Sequence, residues 1–244
     1  MLCNNLNKQG TYVVLLCAVL FQALAGKYLI GYESPLMFCE LEPHISGASG
    51  IVLSLMKVYF VVPFILLIFW GGAGNLISGY AVLEIVRNKS RYHIIGNAFS
   101  GAAAQLAMIV TAEVLIFFLI FHQAAGELKT EVWLQEIFRY YSGLFFVTII
   151  MYFLELFTDM TVSFIIANLY FILSVVLPIL LNSDGKNRFI GLLFPAYYAF
   201  SNDAGKSNFY AVSDFPMSDI LYVIGLAFLV SIVFCRIYIR SDII

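Results

Sequence analysis

The chain has 244 residues, of which 62% are hydrophobic and 11% are charged, whereas soluble domains are about 45–50% apolar and about 25% charged. A soluble fold of this size buries only roughly 70–75% of its unfolded surface, so the composition excludes a soluble globule, and it also excludes a disordered chain. The net charge of −2 excludes a general nucleic-acid binder, which needs a basic face. We therefore expect an integral membrane protein.

Six continuous apolar segments are long enough to cross the membrane as helices, which takes about 20 residues for about 30 Å of hydrocarbon. Their apolar residues do not alternate with the period of two that membrane-barrel strands show. The sequence predicts one all-α membrane domain over residues 1–244, with six transmembrane helices at about 11–31, 51–83, 96–121, 141–158, 162–181 and 216–238.

The first two spans carry further signals. Ala23 and Ala25 flank Leu24 as in a secretory cleavage site, but Lys8 is the only basic residue before the apolar run, so we expect the first helix to be retained. The second segment is longer than a bilayer requires and contains Pro63 and the run GGAG at 71–74. Its helix therefore extends beyond the membrane, or is kinked or broken.

Two segments between spans also show apolar patterns. Trp133, Ile137 and Tyr140 share one helical face of residues 131–141, which predicts an interfacial amphipathic helix before the fourth span, with Glu136 and Arg139 as an ordinary pair on its polar face. The run FIGLLFP at 189–195 is too short to cross. It predicts a short re-entrant or interfacial element between the fifth and sixth spans.

The distribution of basic residues predicts the orientation. Six helices place both termini on one side of the membrane, and the segment joining the second and third spans carries Arg87, Lys89 and Arg91 close to helix ends. The positive-inside rule therefore places this segment and both termini in the cytoplasm.

The search for catalytic motifs is negative. His44, His93 and His122 lie in different loops and none belongs to an H-E-x-x-H motif, and the chain has no G-x-S-x-G elbow. The run AGKS at 204–207 ends like a phosphate-binding loop, but Phe200 occupies the position of its first glycine. We expect no catalytic residue, no metal site and no nucleotide bound by this chain.

Four ionisable residues in or beside the spans are candidate sites. Lys57 and Glu113 lie about 9 and 12 Å inside the outer ends of their helices. They form either a buried pair that fixes helix register or a polar part of a substrate path, unless Lys57 snorkels to the interface. Glu155 and Asp159, at the inner end of the fourth span, either solvate a tight helical turn or contact a cytoplasmic partner.

The segment YAVLEIVRNKSRY at 80–92, in which an aromatic helix end runs into a basic Ser-Arg turn, and the six-span layout resemble the permease subunit of ABC-2 type ATP-binding-cassette exporters. In that family this loop carries the coupling helix, which docks into a groove on the ATPase. The resemblance implies a coupling role for Glu84, Arg87, Asn88, Lys89, Ser90, Arg91 and Tyr92.

The resemblance further implies a multi-pass protein of a bacterial plasma membrane that exports a hydrophobic or peptide-like substrate, such as an antimicrobial peptide. Its partners would be a second permease subunit, identical or paralogous, and an ABC ATPase that holds the ATP and Mg²⁺. The alternative is a non-transporting immunity, sensor or assembly protein that acts through its outer loops. An intramembrane enzyme would need convergent side chains at one depth, and only Lys57 and Glu113 lie at similar depths.

Overall fold

The computed structural model describes residues 2–31, 38, 48–72, 91–125, 130–181 and 217–240, and these are helical without any strand, as the sequence predicts. The re-entrant element predicted before the last helix lies outside these residues. The helices are α1 (Leu2–Ala25, continued by a π-helical turn, Gly26–Ile30), α2 (Ala48–Tyr59), α3 (Val62–Phe69), α4 (Arg91–Ile120), α5 (His122–Ala125), α6 (Thr130–Leu154), α7 (Met160–Leu181) and α8 (Met217–Arg240).

Among the described residues, four helices have the length and apolar composition needed to cross a membrane. They are Gln9–Ile30, Ile95–Ile120, Trp133–Leu154 and Met160–Leu177. The other two predicted spans correspond to shorter apolar helices, Leu55–Phe69 and Leu221–Ile237. The described part of the chain is therefore all-helical, with four candidate membrane helices.

The second predicted span is broken, which was one of the predicted alternatives. α2 ends at Tyr59 and α3 begins at Val62, with Pro63 in its first turn. Proline has no backbone N–H to continue the helical ladder. The N–H of Phe64 binds the carbonyl of Val61 at 3.0 Å instead of that of Phe60.

The fourth helix differs from its predicted bounds of 141–158. α6 is one continuous helix of 25 residues from Thr130 to Leu154, so it absorbs the segment predicted as a separate interfacial helix. Two charged residues of that segment, Glu136 and Arg139, are buried, so they do not form a solvated face along the membrane surface. At its other end the helix stops at Leu154, and residues 155–157 form turns before α7.

α6 lies at the centre of the bundle, where it contacts α3, α4, α7 and α8. Within its membrane window 61% of the residues are buried, compared with 28–33% in the other three candidate spans. α1 packs against α3 and α4, and α2 packs against α7. α4 and α7, which contact α6, therefore bury one face against it and leave more of their surface exposed than α6 does.

Contacts between helices define two ends of the bundle. At the Lys27 end, Lys27 of the π-helical turn binds the carbonyl of Ile120, the last residue of α4. At the Gly71 end, Gly71 after α3 binds Glu155 after α6. Aromatic clusters close both ends: Phe38 packs between Phe117 and Tyr140 at the Lys27 end, and Phe99 packs between Tyr152 and Phe234 at the Gly71 end.

Candidate functional site

Glu113 of α4 is buried toward the Lys27 end, with 1% of its surface exposed. Its carboxylate accepts a hydrogen bond from the hydroxyl of Tyr140 on α6, whose oxygen lies 3.2 and 3.3 Å from the two carboxylate oxygens. A carboxylate in a membrane interior is expensive unless it is bound in this way. The contact therefore connects the third predicted span to the central helix.

Lys57 of α2 is also buried, whereas a snorkelling lysine would hold its ammonium group in the solvent. Its backbone carbonyl accepts a hydrogen bond from the side-chain amide of Gln22 on α1. Within the described residues no ion pair joins Lys57 to Glu113. The proposed role of these two residues in a substrate path stays a prediction.

Glu136 and Arg139 of α6 form a buried ion pair that the sequence analysis treated as part of a solvated face. The Arg139 Nη1 and Glu136 Oε1 atoms are 3.5 Å apart, and the two side chains are 3% and 8% exposed. Arg139 is directly followed by Tyr140, the partner of Glu113. One turn of α6 thus carries three buried polar side chains at the Lys27 end. The absence of proline between residues 130 and 154 was the signal that this pair belongs to one long helix.

A second polar contact fixes the Gly71 end. The backbone N–H of Gly71 donates to Oε1 of Glu155 at 2.9 Å, and Glu155 is buried. Gly71 has a φ of 74°, a left-handed conformation that glycine adopts without a steric cost. Next to it, a Cβ on Gly72 would lie 2.4 Å from the hydroxyl oxygen of Tyr152. These four residues, named the Gly71 anchor, attach the end of α3 to the end of α6.

Asp159 lies directly before α7 and is exposed. Its backbone carbonyl accepts hydrogen bonds from the N–H and the hydroxyl of Ser163, at 2.9 and 3.0 Å. The hydroxyls of Thr158 and Ser163 are 2.7 Å apart and close the same turn. Of the two predicted inner acids, Glu155 is enclosed in the Gly71 anchor, so Asp159 is the one that a partner can reach.

Only the C-terminal edge of the predicted coupling loop lies within the residues that the structure describes. Arg91 and Tyr92 begin α4, whereas Glu84, Arg87, Asn88, Lys89 and Ser90 lie outside the described residues. The described residues after α3 end at Gly72, and α4 begins at Arg91. Phe99, two turns into α4, contacts Tyr152 of the Gly71 anchor. Gly72 and the first turns of α4 therefore both lie at the Gly71 end.

A family model described as a protein of unknown function (DUF2705) matches residues 15–244. The chain belongs to the DUF2705 family. None of the curated proteins and none of the solved structures matches it. The matched part of this DUF2705 chain includes α2 to α8, the buried charges and the Gly71 anchor.

In this DUF2705 chain, the two ends of the helical bundle differ in the kind of contact that holds them. At the Lys27 end, Glu113 is hydrogen-bonded to Tyr140 across two helices, and Arg139 is paired with Glu136 within α6. At the Gly71 end, one hydrogen bond and the close approach of Gly72 to Tyr152 connect the end of α3 to the end of α6. Among the described residues, no three His, Cys, Asp or Glu side chains lie together as metal ligands would.

Proposed function

We propose that the chain is the transmembrane subunit of an ATP-driven exporter of ABC-2 type, which moves a hydrophobic or peptide-like substrate out of a bacterial cell. In this proposal the chain has six membrane spans, with α2 and α3 together as the second and α8 as the sixth. Both termini and the Gly71 end face the cytoplasm. ATP and Mg²⁺ are held by a separate ATPase subunit, and a second permease subunit completes the transporter.

The observation that carries this proposal is the Gly71 anchor. The segment at 80–92, which resembles an ABC-2 coupling loop, follows Gly72 after seven further residues of the chain. Because Gly71 is hydrogen-bonded to Glu155 and Gly72 lies against Tyr152, a displacement that is carried along the chain to Gly72 would act on the end of α6. A loop that docked on an ATPase would need such an attachment.

The position of α6 extends this argument to the rest of the bundle. α6 contacts α3, α4, α7 and α8, so a shift of its end changes its packing against four helices at once. Packed helices move between discrete arrangements and do not deform continuously. Closure of the ATPases would therefore be transmitted through the loop and α6 to the Lys27 end, where the substrate would leave.

The test is co-purification in mild detergent from the native cell. Wild type is compared with the double variant Arg87→Glu/Arg91→Glu, and a matched control, Lys186→Glu/Arg188→Glu, reverses two charges in the segment predicted on the opposite side. The proposal expects an ABC ATPase with wild type and with the control, and its loss with the loop variant at equal membrane expression. Absence of an ATPase from every form, with intact protein, overturns the proposal.

The second candidate is a non-transporting immunity, sensor or assembly protein that binds a partner at the Lys27 end. The observation that favours it is Phe38, which comes from a predicted outer segment yet is fully buried between Phe117 and Tyr140. A loop residue packed into the bundle is typical of a structured outer surface. Co-purification of a partner that is lost on Phe38→Ala and kept on Arg87→Glu/Arg91→Glu, without any ATPase, would favour this candidate.

A further inference from the structure

A groove of about 660 Å³ lies between α4, α6 and α8. This volume is within the range of about 300–1,000 Å³ that is usual for sites of small molecules and cofactors. Its wall is mainly aromatic and aliphatic, and Arg236 of α8 belongs to its lining. The aromatic rings that line it are those of Phe99, Phe138, Tyr141, Phe145 and Phe228.

The polar groups of the groove wall are already bound by the protein. The hydroxyl of Tyr141 donates to the carbonyl of Ala103 at 3.1 Å, and that of Ser231 donates to the carbonyl of Ala227 at 2.7 Å. Ser142 likewise binds the carbonyl of Arg139, at 2.8 Å. A ligand in the groove therefore meets apolar surface along most of its length.

Arg236 is the exception. Its side chain is exposed, and within the described part of the chain no carboxylate lies within ion-pair distance of it. It lies at the end of the apolar helix Leu221–Ile237, where arginine reaches the membrane interface. From Ile224 to Arg236, both in the groove wall, α8 advances 236 − 224 = 12 residues, or about 18 Å. This is close to one leaflet of a hydrocarbon core of about 30 Å.

We propose that this groove is a binding site for an anionic phospholipid. One acyl chain lies along the aromatic wall, and the headgroup phosphate is bound by Arg236. The charge of the arginine and the length of the groove both fit this ligand, since an acyl chain extends over one leaflet and carries its phosphate at the interface. The site rests on α8 as a membrane span, which is part of the proposed function, but it does not require ATP-driven export.

The experiment measures lipid retention on the full chain. The protein is purified in mild detergent, incubated with phosphatidylglycerol or phosphatidylcholine, exchanged into fresh detergent and analysed by native mass spectrometry. Wild type is expected to retain one phosphatidylglycerol in preference to phosphatidylcholine. Arg236→Ala is expected to weaken phosphatidylglycerol binding about fivefold, as for one basic residue at an anionic surface, and to weaken phosphatidylcholine binding less, because the choline cation neutralises the charge of that headgroup.

Groove-filling variants test the acyl-chain part of the site. Ser231→Phe fills the groove from α8 and is expected to abolish retention of the lipid. Val233→Phe, on the same helix but outside the groove wall, is the matched control and is expected to behave like wild type. If Ser231→Phe fails to give a monodisperse helical protein, Ser100→Phe fills the same groove from α4.

Three results overturn the proposal. The first is equal retention of the two lipids by wild type. The second is equal loss in the Val233→Phe control, which would indicate lipid bound unspecifically around the protein. The third is a wild-type dimer that Ser231→Phe converts to a monomer with unchanged lipid retention, which would assign the groove to a second copy of the chain.

Discussion

Replacement of Glu155 tests whether the Gly71 anchor holds the bundle together. Its Oε1 accepts the N–H of Gly71 at 2.9 Å in a buried position. Glu155→Ala leaves this N–H without its acceptor, which costs about 1–3 kcal/mol. Glu155→Gln keeps a carbonyl oxygen at the same place but loses the charge. Since charge-assisted hydrogen bonds are about twice as strong as neutral ones, we expect roughly half of the alanine effect.

Thermal unfolding in mild detergent, followed by circular dichroism, measures these differences. A loss of about 2 kcal/mol lowers the midpoint of a chain this size by about 4–8 °C, so Glu155→Gln should lower it by about half as much. Asp159→Asn is the matched control, since it removes an exposed acid four residues away and should change stability by less than about 0.5 kcal/mol. An unchanged midpoint for Glu155→Ala, or equal losses for the alanine and glutamine variants, would refute the argument.

Three further changes probe other contacts by the same unfolding assay. Gly71→Ala should cost about 1–2 kcal/mol, because its φ of 74° is left-handed; a neutral result would show that the turn relaxes. Tyr140→Phe should cost about 1–3 kcal/mol, because Glu113 loses its hydrogen bond inside the bundle; stability equal to wild type would mean that another group binds this carboxyl. Tyr59→Phe removes the 3.0 Å hydrogen bond to Asn168. Since such bonds between membrane helices average about 0.6 kcal/mol, it should cost less than Tyr140→Phe, and the reverse order would contradict this ranking.

Sequence patterns predicted the helical class and the positions of most helices because long apolar runs in lipid have few alternatives to helix. They also indicated a break near Pro63, whose missing N–H interrupts the ladder. The predicted start of the fourth span at residue 141 was wrong for an identifiable reason, since α6 begins at Thr130. Charged residues at 136 and 139 were taken as a solvated face, whereas the structure buries them.

The candidate sites were harder to predict because lipid tails are as apolar as leucine. Hydrophobic periodicity therefore does not reveal which face of a membrane helix meets protein. Glu113 illustrates this limit, since its burial was expected but its contact with Tyr140 depends on how α4 and α6 are rotated. Glu155 is similar, because its partner is a backbone N–H that no side-chain pattern encodes.

The interruption between α2 and α3 has a mechanical consequence. Pro63 has no N–H for the carbonyl of Tyr59, and the N–H of Phe64 is bound to Val61, so the carbonyls of Tyr59 and Phe60 both lack their helical donors. A bend at this joint breaks none of the hydrogen bonds inside either helix. α2, which holds Lys57, and α3, which leads to Gly71, can therefore tilt relative to one another at a joint that lies inside the apolar stretch Leu55–Phe69.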